Sequence, residues 1–252
     1  MFHEVKYYEN PRDEWGVGLF DGVLGLAIDM PWIPGPFRAL NILSSPFRNM
    51  VDHGTLDKNM FSIVWPSEVR EQGDLMFGGY DEELLDGELV AHPLVPENTT
   101  NWQIGIEKVF MTSRDGESLV NKTIPEGKAF FMSSVPFIAF SYSLAKSLIK
   151  HIPSWPSACV RFLMVDCDDI PLLPEIIIGF RGQNVTLRGE DYVRRLKAPE
   201  CPLIEGECHL MMDYLGGMED LVVLGAPFLE KVMGVFNWDE RTISCESPNP
   251  LG

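Results

Sequence analysis

Basic residues are scarce in this sequence of 252 residues, in which 20 lysines and arginines face 37 aspartates and glutamates, for a formal net charge of -17. Nucleic acids and anionic membranes attract proteins through basic surfaces. We therefore expect neither of them as a partner. An acidic surface suits an acidic or extracellular compartment, and it also serves solubility alone.

Long apolar runs are absent as well. No uncharged apolar stretch approaches the roughly 18 to 20 residues of a membrane span, and residues 1–6 lack the apolar core of a signal peptide. These two absences predict a cytosolic protein without a membrane span. Three N-glycosylation sequons point instead to the secretory route, with candidate sites at Asn98, Asn121 and Asn184.

Motifs for metals and nucleotides are missing too. No two cysteines form Cys-x-x-Cys and the histidines are scattered, so we expect no zinc site. The glycine-rich residues 16–27 lack the Gly-x-Gly-x-x-Gly spacing of a dinucleotide loop, so we expect no cofactor of that kind either. Two disulfides and one free thiol are favoured among Cys159, Cys167, Cys201, Cys208 and Cys245.

Short strands separated by turn residues predict a mainly β fold. The predicted strands cover residues 59–65, 73–79, 88–95, 102–106, 221–225 and 232–237. A hairpin is predicted over residues 174–193, with its turn at residues 181–184.

Two amphipathic helices are predicted within this β pattern. The first covers residues 37–52 and should be shortened or kinked at Pro46; the second covers residues 141–151. The polar residues 96–101 predict a boundary, which divides the chain into residues 1–97 and 98–252.

Two segments near opposite ends of the chain echo each other. Residues 20–27 read Phe-Asp-Gly-Val-Leu-Gly-Leu-Ala, and residues 223–226 read Val-Leu-Gly-Ala. Both resemble the apolar-apolar-glycine segments in the two lobes of pepsin-family aspartic proteases. Further motifs follow in that family's order, at residues 61–63, 73–81, 94–104 and 174–193. The shared order means that the resemblance to this family extends over nearly the whole chain.

The resemblance implies a pepsin-like aspartic protease fold with closed-barrel-like β lobes, truncated at the N-terminus. Residues 1–97 would be a remnant of the N-terminal lobe with interlobe strands, and residues 98–252 the C-terminal lobe. The resemblance also implies a disulfide between Cys167 and Cys208 and a secreted, lumenal or vacuolar location. In that family the glycine of each echoed segment lies where two backbones pass too closely for a Cβ atom.

The catalytic residues of the family are missing. Where the C-terminal lobe carries Asp-Thr-Gly after an apolar strand, this chain has Met132, Ser133 and Ser134. The first catalytic aspartate and the flap tyrosine belong upstream of residues 20–27, in sequence that this chain does not contain. Because the family's chemistry needs two carboxylates that share a proton, the resemblance implies that this chain has no catalytic residue.

We expect no other side chain to replace the missing catalytic aspartates. The acidic cluster of Asp166, Asp168 and Asp169 adjoins the expected disulfide and is interpreted as a solvated turn. The two serines after Met132 lack a Gly-x-Ser-x-Gly elbow, and no histidine is placed to activate them. The apolar side chains of residues 130–138 can instead fill with hydrocarbon the space of the family's polar network.

The leading hypothesis is a catalytically inactive homologue that retains a peptide-binding or interaction scaffold. The alternative is a fragment or incomplete gene model of an active aspartic endopeptidase. A third hypothesis, an unrelated β-rich binding protein, predicts no preferential pairing of Cys167 with Cys208. We also expect apolar strand residues such as Phe61, Ile63 and Trp65 to be exposed, so that the missing N-terminal lobe or a partner would cover them.

Overall fold

β-Strands dominate the regular structure, which confirms the prediction of a mainly β fold. The computed structural model describes residues 24–28, 45–66, 72–85, 87–157, 160–195 and 206–247. The strands are β1 (Met60–Val64), β2 (Asp74–Phe77), β3 (Val90–Pro93), β4 (Gln103–Thr112), β5 (Ser118–Phe131), β6 (Ile138–Ser141), β7 (Trp155–Pro156), β8 (Leu163–Val165), β9 (Glu175–Phe180), β10 (Gln183–Leu187), β11 (Val193–Arg195), β12 (Cys208–Leu210), β13 (Met212–Leu215), β14 (Leu221–Leu224), β15 (Met233–Asn237) and β16 (Thr242–Glu246). The α-helices are α1 (Pro46–Asp52), α2 (Tyr142–Ile149), α3 (Gly189–Tyr192) and α4 (Ala226–Leu229), and 3₁₀ helices cover Glu82–Leu84 and Cys167–Leu172. Within these ranges, no helix combines the length and apolar character needed to cross a membrane.

A five-stranded sheet joins early strands of the described chain to its last two strands. The order is β2-β1-β15-β16-β3, and all neighbours are antiparallel. β1 and β3 therefore pair with β15 and β16, and backbone hydrogen bonds of these two early strands are satisfied by a distant part of the chain.

Phe61 is buried in this sheet, so the predicted exposure of its side chain is wrong. Phe61 is only 1% exposed, and its ring stacks on Phe236 with the centroids 4.7 Å apart. The Trp102 ring packs edge-on against the Phe61 ring, with the centroids 5.6 Å apart. Ile63 and Trp65 are half-buried. The prediction failed because it did not include the pairing of β1 with β15, which covers this face.

A seven-stranded sheet, in the order β10-β9-β4-β5-β14-β6-β13, contains the strand that leads to Met132. Along β4, Ile104, Ile106, Val109 and Met111 are buried, and the residues between them are half-buried or exposed. That alternation is what a pleated strand with one face on a core requires. β14 lies between the consecutive strands β5 and β6, parallel to the first and antiparallel to the second. The connection from β5 to β6 must therefore pass around the end of β14.

Both predicted helices are present, with revised bounds. α1 begins at Pro46, and the Ser45 hydroxyl accepts the N–H of Arg48 at 3.1 Å. Pro46 starts the helix rather than kinking it, because the first turn of a helix needs no N–H donor. The earlier part of that prediction, residues 37–44, lies outside the described residues. The hydroxyl of Ser141 caps α2 in the same way.

A four-stranded sheet, in the order β11-β12-β8-β7, carries the disulfide. Cys167 and Cys208 are bonded, and their Cα atoms are 5.4 Å apart. This bond confirms the pairing that the resemblance implies, and it counts against the unrelated binding protein. Cys159 and Cys201 lie outside the described residues, so a second disulfide stays a prediction.

Cys245 on β16 is a fully buried free thiol. Burial, with a smaller effect of the neighbouring Glu246 carboxylate, raises the pKa of the Cys245 thiol to about 12. In the unfolded chain the Cys245 thiol ionises near its usual pKa of about 8.5. The stability linked to this thiol is therefore fully present below that pH. It falls as the pH rises toward 12, because over this range the thiol ionises in the unfolded chain and stays protonated in the folded one.

We expect Cys245 to resist alkylation in the folded protein, because only the thiolate reacts. Iodoacetamide at about pH 9 should leave Cys245 unmodified in the native chain. The same reagent should modify it fully in guanidinium chloride. Mass spectrometry of the peptides measures both, and equal labelling under the two conditions would contradict the prediction.

Candidate functional site

The loop of residues 132–137 connects β5 to β6 around the end of β14. The backbone N–H of Met132 donates to the carbonyl of Leu224 at 3.0 Å, and the N–H of Ala226 donates to the carbonyl of Val135 at 3.0 Å. These two hydrogen bonds attach the start and the middle of the loop to the segment of residues 224–226.

Gly225 lies where this loop and the segment after β14 cross. A Cβ atom added to Gly225 would lie 2.1 Å from the carbonyl oxygen of Phe137 and 2.5 Å from that of Val135. The close approach predicted for the second echoed segment is therefore present. Among the described residues, a Cβ at Gly25 would meet nothing within 4 Å, so a close approach at the first segment stays a prediction.

Hydrocarbon surrounds Met132, as the sequence predicts. Met132 packs against a small cluster of Val135, Ala139 and Val223. Pro136 is exposed, so it does not contribute to this filling. A thioether has no acidic proton and accepts hydrogen bonds only weakly. Met132 can therefore stabilise the loop by packing but cannot transfer a proton.

A cavity of about 260 Å³ lies beside this loop, and we call it the Met132 cavity. Its walls are Leu24, Leu26, Ala27, Phe61, Ile63, Trp65, Asn101, Trp102, Phe130, Phe131, Met132, Ser133, Ser134, Leu229, Val232, Gly234 and Phe236. None of these residues carries an ionisable side chain. The indole N–H of Trp65 is buried and has no hydrogen-bond partner within the described ranges. The described walls of the cavity are thus apolar, with a few neutral polar groups.

The acidic residues that follow β8 do not approach this cavity's walls. Asp166 caps the 3₁₀ helix Cys167–Leu172 by accepting the N–H of Asp168 at 3.0 Å. Asp168 and Asp169 lie in the first turn of that helix; the Asp168 side chain is exposed and that of Asp169 is half-buried. Among the described residues, no cluster of three or more His, Cys, Asp or Glu side chains could hold a metal ion. The cluster functions as a helix cap in this structure.

Trp102 is a site residue that the sequence interpretation missed. Its indole N–H donates to the carbonyl of Leu26 at 2.9 Å, and its carbonyl accepts the N–H of Phe131 at 3.0 Å. Trp102 thus connects the first echoed segment to the strand that ends at Met132. No local pattern in the sequence reports a contact between residues so far apart.

The three candidate glycosylation sites are exposed. Asn98 precedes β4, Asn121 lies on β5 and Asn184 lies on β10, and each side chain is at the surface. Exposure is the physical requirement for attaching a glycan. Glycosylation itself stays a prediction.

Comparison with known proteins extends the similarity over almost the entire chain. Residues 3–247 match the family model described as eukaryotic aspartyl protease. A vacuolar aspartic protease of Candida albicans is 26% identical over 239 residues, which cover 92% of this chain and 51% of that protein. Cathepsin D of Bos taurus is 26% identical over 229 residues, covering 89% of this chain and 54% of that protein.

A third relative is pregnancy-associated glycoprotein 2 of Bos taurus, which is 24% identical over 253 residues, covering 93% of this chain and 59% of that protein. The chain thus spans about half the length of the curated relatives it matches. The mainly β architecture and these matches together support a pepsin-like fold.

Proposed function

Because the chain belongs to the eukaryotic aspartyl protease family, we propose that it is a catalytically inactive member that retains a scaffold for binding a peptide or protein. In this proposal Met132 occupies the place of the second catalytic aspartate. Residues 1–97 correspond to the end of the N-terminal lobe with interlobe strands, and residues 98–252 to the C-terminal lobe.

The Met132 cavity is the observation that carries the proposal. Aspartic protease chemistry needs one carboxylate that gives a proton and another that takes it. Among the described residues, the walls of the cavity offer a thioether, hydroxyls, an amide and two indoles, and none of these groups titrates as a carboxylate does. Removing one member of such a catalytic unit costs several orders of magnitude in rate.

A cleavage assay on the protein isolated from its natural source tests the proposal. We expect no pepstatin-sensitive hydrolysis of an unfolded protein substrate between about pH 3 and pH 6, where the family's paired carboxylates work. An active family member assayed in parallel is the control. Pepstatin-sensitive turnover would overturn the proposal.

The alternative is that the chain is part of a working aspartic endopeptidase. It is favoured by one finding, that the chain spans about half of each relative. Under this alternative, the protein from its source would show pepstatin-sensitive turnover, and a peptide containing Asp-Thr-Gly would be found by mass spectrometry. The cleavage assay therefore separates the two hypotheses directly.

We further propose a secreted, lumenal or vacuolar location. Two observations support it: the disulfide, which forms and persists in oxidising compartments, and the vacuolar protease among the relatives. We expect N-glycans on at least one of Asn98, Asn121 and Asn184 in the natural protein. Treatment with a peptide-N-glycosidase, followed by mass spectrometry for Asn-to-Asp conversion, measures this. Three unmodified asparagines would contradict passage through the secretory route.

A further inference from the structure

A second cavity, of about 940 Å³, lies between the residues after β3, the middle of β4 and β5, and the turn at Arg181. We call it the bulge cavity. It shares no wall residue with the Met132 cavity. Its volume lies at the upper end of the roughly 300 to 1,000 Å³ that ligand sites occupy.

A fixed irregularity between β4 and β5 opens this cavity. Along β4 the paired residues pass from 106 to 108, whereas along β5 they pass from 127 to 123, so three residues of β5 oppose Glu107 alone. Glu126 has a φ of 55°, a conformation that non-glycine residues rarely adopt. At Gly127, a Cβ would lie 2.6 Å from a methyl group of Ile124. Bulges of this kind occur next to binding sites, where they redirect side chains.

Another part of the wall is held by a chain of hydrogen bonds. The buried His92 ring bonds through Nε2 to Oε1 of Gln183 at 2.9 Å, and Gln183 donates to the carbonyl of Cys245 at 2.6 Å. This chain connects β3, β10 and β16 behind the cavity. The wall is therefore rigid enough to present a preformed surface to a ligand.

Four charged side chains line the bulge cavity without neutralising one another. Lys108 and Arg181 are the cations, and Glu107 and Glu126 are the anions. In the described part of the chain, no oppositely charged group lies within 4.0 Å of any of the four. Lys128, also in the wall, is already paired with a carboxylate at 3.0 Å. Both signs of charge are therefore available to a ligand.

We propose that the bulge cavity binds a short free peptide with apolar side chains, through both of its charged ends. The terminal carboxylate pairs with Arg181, whose planar guanidinium matches a carboxylate at two points. The terminal ammonium pairs with Glu126, which the bulge holds at the cavity. A ligand with both charges can pair with an exposed cation and an exposed anion of the wall at once, whereas a simple anion or cation can pair with only one kind. Apolar wall groups such as Ile106, Pro93 and Pro125 contact the peptide's side chains.

Calorimetric titration of the whole chain with leucyl-leucine and its capped forms tests this site. We expect one binding site per chain for the free dipeptide. Acetylating its amino end or amidating its carboxyl end should each weaken binding about tenfold, because each change removes one charge-assisted pair. Binding that is equal for the free and doubly capped peptides would overturn the proposal, as would no heat at about 10 mM ligand.

Variants assign the two ends of the peptide to residues. Arg181→Gln should weaken binding of the free dipeptide about tenfold and make amidation harmless, and Glu126→Gln should do the same for acetylation. Lys122→Gln is the matched control, because Lys122 is exposed on β5 and lies outside the cavity wall. It should leave the affinity unchanged. Wild-type affinity in both Arg181→Gln and Glu126→Gln, with folding verified by circular dichroism, would place the peptide elsewhere and reject the proposal.

Discussion

Replacing Gly225 by alanine is expected to lower the free energy of unfolding by about 4 kcal/mol, a loss at the extreme of single substitutions. The new methyl would lie 2.1 Å and 2.5 Å from two carbonyl oxygens. Both oxygens belong to backbone, so neither can rotate away as a flexible side chain would. The backbone of Gly225 itself, with a φ of -93°, is one that alanine adopts without strain. The whole effect would therefore come from the crossing of the two segments.

Gly105→Ala is the matched control for this experiment. Gly105 also lies in the seven-stranded sheet, and a Cβ there would meet nothing within 4 Å. Since alanine restricts the unfolded chain more than glycine does, this variant should be neutral or more stable by up to about 1 kcal/mol. Urea denaturation of the two variants gives the comparison. If the free energy of unfolding of Gly225→Ala is unchanged, as expected for the control, the loop of residues 132–137 can move to admit the methyl group at little cost in free energy.

Local elements of this fold are predictable because their signals are local. The strand at residues 60–64, the helix cap at Ser141 and the hairpin turn before β10 are each specified by residues within a few positions of one another. The spacing of apolar residues, the capping residues and the turn residues are therefore enough to predict these elements.

Packing between distant segments was not predictable in this way. Phe61 was expected at the surface, and only the register of β1 with β15 shows why it is buried. Gly25 and Gly225 carry the same local motif, but among the described residues only Gly225 has a backbone against it. The bulge before Gly127 also escaped prediction, although Pro125 within it and Gly127 next to it are its sequence signal.

The candidate site, too, was predictable from the sequence only in part. The order of motifs, which one sequence contains, predicts that Met132 replaces the family's aspartate. The apolar character of the Met132 cavity depends on walls from five separate parts of the chain, so it required the structure. The role of Trp102 as a connection between two of these parts is a result of the same kind.

Removing the disulfide is expected to lower the free energy of unfolding by about 3 to 4 kcal/mol, out of the 5 to 15 kcal/mol typical of a folded protein. Cys167 and Cys208 are 41 residues apart, and a cross-link over that distance removes many conformations from the unfolded chain. Cys208 is buried in β12 and its partner begins the 3₁₀ helix that follows β8, so the bond also links the two central strands of the four-stranded sheet.

Three variants show that this loss belongs to the bond and not to the two side chains. Cys167→Ala, Cys208→Ala and the double variant each remove the same cross-link, so the three should lose nearly equal stability. Guanidinium denaturation monitored by circular dichroism measures each value. If the two single losses instead add to give that of the double variant, packing of the separate thiols would account for the stability, and the cross-link would contribute little. Near-equal losses would mean that the four-stranded sheet depends on oxidation, and hence that reducing conditions should weaken this part of the protein first.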